Sequence, residues 1–300
     1  MNVLLLDPGK PLPEELNLRI KQLTDYVRQG VVATEESADF DKAIHGARTS
    51  MKKLRALLRL LQPALAPESF REKDRRIRDF ARQIGGVRDA LVMRRTFIQL
   101  KQDASVYLKV AALAPLEKAL DHNYAEAQET QHATRQAGTL TPQFKRLEES
   151  LLGIAPPDYG EATLVEAVRQ VYRAGYRGLR RCRQDTLNSE LIHQWRKDVK
   201  YLWYQMQMLP APDNKQVKRL CKKLDRLSDT LGLEHDLDVL SEFLHGRDLL
   251  RDETHAALFD GLLAARQRVL VDEALREGKA VFKAKPRQFA DWLLQVLKER

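Results

Sequence analysis

An all-α fold built from two similar halves is what this chain predicts, on three observations. Nearly every long segment carries apolar residues at helical spacing. Only 14 Gly and 12 Pro punctuate 300 residues, too few for the many turns of an all-β protein. A histidine opening a cation-striped helix occurs twice, 148 residues apart. The first copy is His45-x-x-Arg48-x-x-x-Lys52-Lys53-x-Arg55-x-x-x-Arg59, the second His193-x-x-Arg196-Lys197-x-x-Lys200-Tyr201-x-Trp203-Tyr204.

Taken in order, the first helix is predicted from Pro13 to about Val32, opened by Pro13-Glu14-Glu15 in the favoured way. Asp39 or Asp41 can cap a second helix that carries the first motif and stops at Gln62, before Pro63. A third spans roughly Pro67–Gln102, with Ile77, Phe80, Ala81, Ile84 and Val87 at core spacing. A fourth covers about Ala104–Gln136, where Pro115 either kinks or restarts it, and a fifth runs Pro142–Leu152 and ends at Gly153. The run from Ala155 to Gly160, with two prolines and a glycine, is the best linker in the chain. Beyond it the pattern restarts with helices at Glu161–Asp185, Ser189–Leu209, Asp213–Leu244, Leu249–Gly278 and Pro286–Arg300. The expected units are residues 1–155 and 156–300, a repeat too long for a short-period solenoid.

Charge is the feature that points to a partner. The chain carries a net +9, and it is unevenly placed. From His45 to Arg95, 14 Lys and Arg stand against 5 Asp and Glu; from His193 to Arg226, 9 stand against 3. The rest of the chain is net acidic. At about 100° per residue, His45, Arg48, Lys52, Arg55 and Arg59 fall within an arc of roughly 80°. Like charges at i,i+3 and i,i+4 repel, so a stripe of this kind is understandable when an anion lies against it.

Further rows extend the pattern. Arg71, Arg75, Arg78 and Arg82 follow helical spacing, as do Lys215, Lys218, Lys222 and Arg226, and Arg169, Arg173, Arg177 and Arg180. Ile84-Gly85-Gly86-Val87-Arg88-Asp89 aligns with Leu231-Gly232-Leu233-Glu234-His235-Asp236. Asp89 and Asp236 are placed to orient the cations. Arginine's planar fork suits phosphate oxygens and lysine supplies a point charge. A dozen or more such groups in lines suit a polyanion of regularly spaced charge, because stripe neighbours stand about 5–6 Å apart.

These residues together resemble the CHAD domain, the conserved-histidine α-helical domain, across nearly the whole chain. The resemblance rests on His-x-x-Arg followed by basic residues in both halves, and on Gly85…Asp89 and Gly232…Asp236. It implies two four-helix bundles related by a pseudo-twofold axis, whose inward basic surfaces line a groove or pore for inorganic polyphosphate, without catalysis. It also implies association with polyphosphate granules. The residues it implies are His45, Arg48, Lys52, Arg55 and Arg59, then His193, Arg196, Lys197 and Lys200. Lys53, Arg71, Arg75, Arg78, Arg82, Arg88, Arg173, Arg177, Lys218 and Lys222 are added from the cationic rows. The second stripe departs from the pattern, with Tyr201 and Trp203 where the first has Lys53 and Arg55. Trp203 is expected in the core, and Tyr204 on the stripe face with a hydroxyl to offer.

Other functions are weighed against this one. A fused triphosphate-tunnel partner would bring Glu-x-Glu-x-Lys, which the chain does not contain. A metal-dependent phosphohydrolase would use His235-Asp236, but the matching pair in the first half is Arg88-Asp89, and arginine is no metal ligand. No catalytic residue, cofactor or metal site is assigned. RNA binding is the main alternative; against it, aromatics are only 7% and no stacking platform stands out. Two cysteines without a framework suggest a reducing compartment. No apolar window approaches spanning length, so a cytoplasmic protein away from membranes is expected. The oligomeric state stays open.

Overall fold

The computed structural model describes residues 5–36, 40–104, 113–211, 213–247, 249 and 255–299. Among these residues there are helices and no strands. The helices are α1 (Leu12–Glu36), α2 (Phe40–Leu61), α3 (Pro67–Gln83), α4 (Gly86–Ala104), α5 (Ala114–Gln136) and α6 (Leu140–Leu151), then α7 (Glu161–Gln184), α8 (Ser189–Met208), α9 (Lys215–Gly246), α10 (His255–Val281) and α11 (Pro286–Lys298). A 3-10 turn, Gln62–Ala64, follows α2 where Pro63 ends it. Asp39 lies outside the described residues, and Phe40 already opens α2, so Asp41 sits inside its first turn rather than ahead of it. Asn188 and Asn214 do cap their helices: the side-chain oxygen of each accepts N–H groups of the first turn, Leu191 for α8, Gln216 and Val217 for α9.

The third predicted helix is two helices. The chain leaves α3 at Ile84, and the Gly85 N–H bonds back to the Arg82 carbonyl at 3.0 Å in a tightened last turn, before α4 restarts at Gly86. The corresponding Leu231-Gly232 lies inside the unbroken 32-residue α9. The two sites differ in sequence, Gly86 standing where the second half has Leu233, and in packing. A Cβ on Gly85 would stand 1.4 Å from a terminal nitrogen of Arg48, whereas one on Gly232 would meet nothing within 4 Å. Pro115 restarts rather than kinks, since α5 opens at Ala114.

Neighbouring helices pair as α1 with α2 and α6, and as α7 with α8 and α11. α4 pairs with α5, and α9 with α10. The halves meet where α2 packs on α7 and α8, and where α4 packs on α9. The larger apolar cluster takes Met51, Leu54 and Leu58 from α2 together with Trp195, Val199 and Leu202 from α8. A smaller one joins Phe97 and Leu100 of α4 and Leu120 of α5 to Leu240 of α9 and Phe259 of α10. Both clusters draw on residues from before and after the linker. The linker itself is embedded: Ala155 and Tyr159 are buried, the Ala155 N–H donates to Asn17 Oδ1 at 3.0 Å, and the Tyr159 hydroxyl donates to the Leu60 carbonyl at 2.7 Å. No described helix is long and apolar enough to cross a membrane.

Candidate functional site: two cationic stripes meeting across α2 and α8

Helical periodicity fixes which way each stripe points. On α2, Ile44, Ala47, Met51, Leu54 and Leu58 are buried, and on α8 Ile192, Trp195, Val199 and Leu202 are buried. Because these faces turn inward and α2 packs on α8, the polar faces of the two helices are brought to a common edge. There the Tyr201 ring lies under the Arg59 guanidinium at 3.8 Å and within 5.5 Å of Arg55. Gln205 of α8 donates to the Ala56 carbonyl at 3.2 Å, fixing the crossing.

Lys52 occupies the middle of the arrangement. Its side chain is solvent-exposed, yet its pKa is lowered from 10.5 to about 8, first by desolvation and then by the charges of Arg196, Arg48 and Lys200. His45 lies beside it and is pushed down by desolvation, then by Arg88, Lys52 and Arg48. Lys197 is lowered by desolvation, by Arg55 across the interface, and by Arg196 and Arg82. Lys200 is lowered by desolvation and by Arg196, while Asp229, Asp225 and Asp236 oppose the shift. Its ammonium donates to Ser228 Oγ at 3.0 Å and stands 4.9 Å from the Trp203 ring centroid. Charge effects thus link His45 with Arg88, Lys52 and Arg48, link Lys52 with Arg196 and Lys200, and link Lys197 with Arg55, Arg82 and Arg196.

Acidic residues keep the first stripe in place. Asp74 of α3 accepts from Arg55 Nε and a terminal nitrogen, both at 2.9 Å, and from Arg59 at 2.8 Å. These bonds outweigh the desolvation of Asp74 and hold its pKa down at about 2. Asp89 accepts from Arg48 at 2.7 Å, as its spacing after Gly85 suggested. Asp236 makes no matching hydrogen bond; desolvation raises its pKa, and the charges of Arg196, Lys52 and Arg88 pull it back.

The second stripe is held differently. Arg196 is half-buried, its Nε has no hydrogen-bond partner, and desolvation lowers its pKa. His193 and His235 place their Nδ1 atoms 3.1 Å apart, so one ring donates and the other accepts. Desolvation and the surrounding cations lower these pKa values to about 4 for His193 and about 3 for His235, keeping both rings neutral near pH 7. Glu234, buried beneath Arg196, is raised to about 7 by desolvation.

Several sequence-predicted cations stand apart from this cluster. Arg71 is exposed and paired with Glu68 at 2.7 Å, and Arg78 pairs with Asp79 at 3.1 Å. Arg75 and Arg177 are exposed, and among the described residues neither makes an ion pair or side-chain hydrogen bond. Arg173 acts on Glu166 rather than on any residue of that cluster. Lys218 pairs with Asp213 at 3.3 Å, and Lys222 is exposed. Lys53 is half-buried and only desolvation moves its pKa. Tyr204 is not a surface hydroxyl: it is 3% exposed, and burial pushes its pKa up to about 12. Trp203 is partly buried against the core, as expected.

Sequence reasoning missed Asp74, Tyr201 and His235 as parts of the site. Asp74 reads as one acid among many cations; nothing local marks it as the anchor of a helix behind it. Among the described residues no group of three or more His, Cys, Asp or Glu is gathered as a metal-ligand set.

The crystal structure of the CHAD domain from the plant Ricinus communis is similar in fold, with a TM-score of 0.69 at 21% identity, covering 94% of this chain and 95% of that one. No curated protein matches the chain. The sequence profile of the CHAD domain matches residues 16–245, which span α1 to α9 and include both stripes. This chain belongs to the CHAD family.

Proposed function

We propose that the two stripes form a groove that binds inorganic polyphosphate and does not transform it. One observation carries the reading: cations of α2 and α8 converge on Lys52, which is exposed to solvent and whose pKa is lowered to about 8, first by desolvation and then by the charges of Arg196, Arg48 and Lys200. Holding like charges together is unfavourable by itself, and a linear anion of closely spaced phosphates relieves the repulsion along the whole groove. Family membership supports the same reading. Binding of this kind would let the protein associate with polyphosphate granules, and it needs no cofactor.

The decisive experiment is a competition titration at two salt concentrations. Labelled long-chain polyphosphate is expected to bind more tightly at low salt and to displace single-stranded RNA at equal phosphate concentration. RNA that resists displacement would make nucleic acid the ligand. Released orthophosphate growing with protein concentration would overturn the non-catalytic part. The melting temperature is expected to rise with excess polyphosphate, because a ligand of the folded state alone stabilises it.

A further inference from the structure

Beside the two stripes, and sharing Arg82 with them, an open depression of about 770 Å3 lies between α3 and α6. Arg76 and Arg82 come from α3 and Arg146 from α6, with the amides of Gln83 and Gln143 between them. The one carboxylate in the lining, Asp79, is already engaged by Arg78 at 3.1 Å. Arg76 is paired with Glu72, but the side chains of Arg82 and Arg146 make no ion pair, and neither amide has a hydrogen-bond partner in the described structure. Phe80 and Leu147, both buried, complete the lining with apolar surface.

The depression adjoins the groove. Arg82 and Gln83 close α3 immediately before Gly85, on which the Arg48 guanidinium rests. Arg82 also acts on Lys197 of the opposite stripe. Unpaired donors at the end of α3 that reaches the opposite stripe suit a further stretch of the same ligand.

We propose that the α3–α6 depression is a second anion site, a shelf that takes phosphate units of a polyphosphate chain running out of the groove past Arg82. It rests on the polyphosphate reading and adds a length requirement: only a chain long enough to pass Arg82 reaches Arg146.

The test compares the full-length protein with two doubly substituted variants of equal charge change. Arg76→Ala/Arg146→Ala strips the shelf. Arg183→Ala/Lys279→Ala strips a separate basic depression beside α10, which shares no residue with the groove. Each is titrated with long-chain polyphosphate and with tripolyphosphate at low salt, after its melting temperature is matched to the parent's. The shelf variant is expected to lose about tenfold in affinity for the long chain, the scale of two exposed charge contacts, and nothing for tripolyphosphate. The control variant is expected to keep both affinities. No loss for the long chain, equal loss for both ligands, or equal loss in the control overturns the shelf. If the parent protein binds neither phosphate, the groove reading itself fails, and the shelf falls with it for that separate reason.

Discussion

The same motif is stabilised in two ways in the two halves. On α2, arginines are locked by carboxylates: Asp74 holds Arg55 and Arg59, and Asp89 holds Arg48. On α8, Arg196 is half-buried with an unsatisfied Nε, and the histidine faces another imidazole instead of a cation. Fixed geometry in one half and unneutralised charge in the other are complementary. The first stripe presents arginines whose positions are set in advance, and the second supplies the positive potential.

The sharpest way to break this contrast is to remove one acid from each half. Asp74→Ala leaves two partly buried guanidinium groups without three charge-assisted bonds and is expected to cost about 3 kcal/mol in chemical denaturation. Asp236→Ala, which breaks no hydrogen bond, is expected to cost under about 1 kcal/mol. Equal losses would mean the halves are held alike. Acid titration gives the matching result. With its pKa lowered from 3.8 to about 2, Asp74 contributes stability that is present above pH 4 and lost as pH falls through about 2.

Affinity is the next discriminator. Lys52→Ala and Arg196→Ala are each expected to weaken polyphosphate by about tenfold, or about 1.4 kcal/mol, and Lys53→Ala to change it little. Comparable losses at all three positions would indicate diffuse attraction instead of a built groove.

The glycine pair gives a smaller effect with opposite signs. Gly232→Ala fills open space inside a continuous helix and is expected to stabilise by up to about 1 kcal/mol. Gly85→Ala displaces the Arg48 guanidinium from its seat and is expected to destabilise by a similar amount. The same sign in both would disconnect Gly85 from Arg48.

The smallest effect is the pH profile. A bound polyanion raises the Lys52 pKa from about 8 toward its ordinary 10.5, so binding takes up a proton and affinity falls as pH rises through 8. From pH 8 down to 6 the remaining Lys52 protonation contributes, and neutralisation of Glu234, which titrates near 7 and acts on Arg196, adds to it, whereas His193 and His235 titrate near 4 and 3. A steep rise in affinity between pH 7 and 6 that persists in Glu234→Gln, measured by titration calorimetry, would assign the histidines a charged role.

Helix positions were legible because burial follows a 3.6-residue period, and the stripes because charge was doubled at matching offsets. What the chain hid was tertiary. Gly85 and Gly232 occupy matching sites in sequence; a second glycine, Gly86, stands where Leu233 follows Gly232, but the Arg48 guanidinium packed on Gly85 is visible only in the structure. Asp74 sits in a cationic window and looks like solvated surface until α3 is laid on α2. Tyr201 replaces a cation in the pattern, yet it serves as the surface on which Arg59 of the other half rests. Arg71, Arg75 and Arg78 share helical spacing with Arg82, but only the end of α3 reaches the second stripe. Spacing along one helix carries no information on where its neighbour crosses.

Tyr159 gives the join between the halves a particular character. Its phenol reaches back to the Leu60 carbonyl in the last turn of α2, and Asn17 of α1 takes the Ala155 amide. The segment that looks easiest to cut is thus a rivet. A chain opened there would hold its two pieces in register, and moving the termini to this point would test how little the architecture depends on its own connectivity.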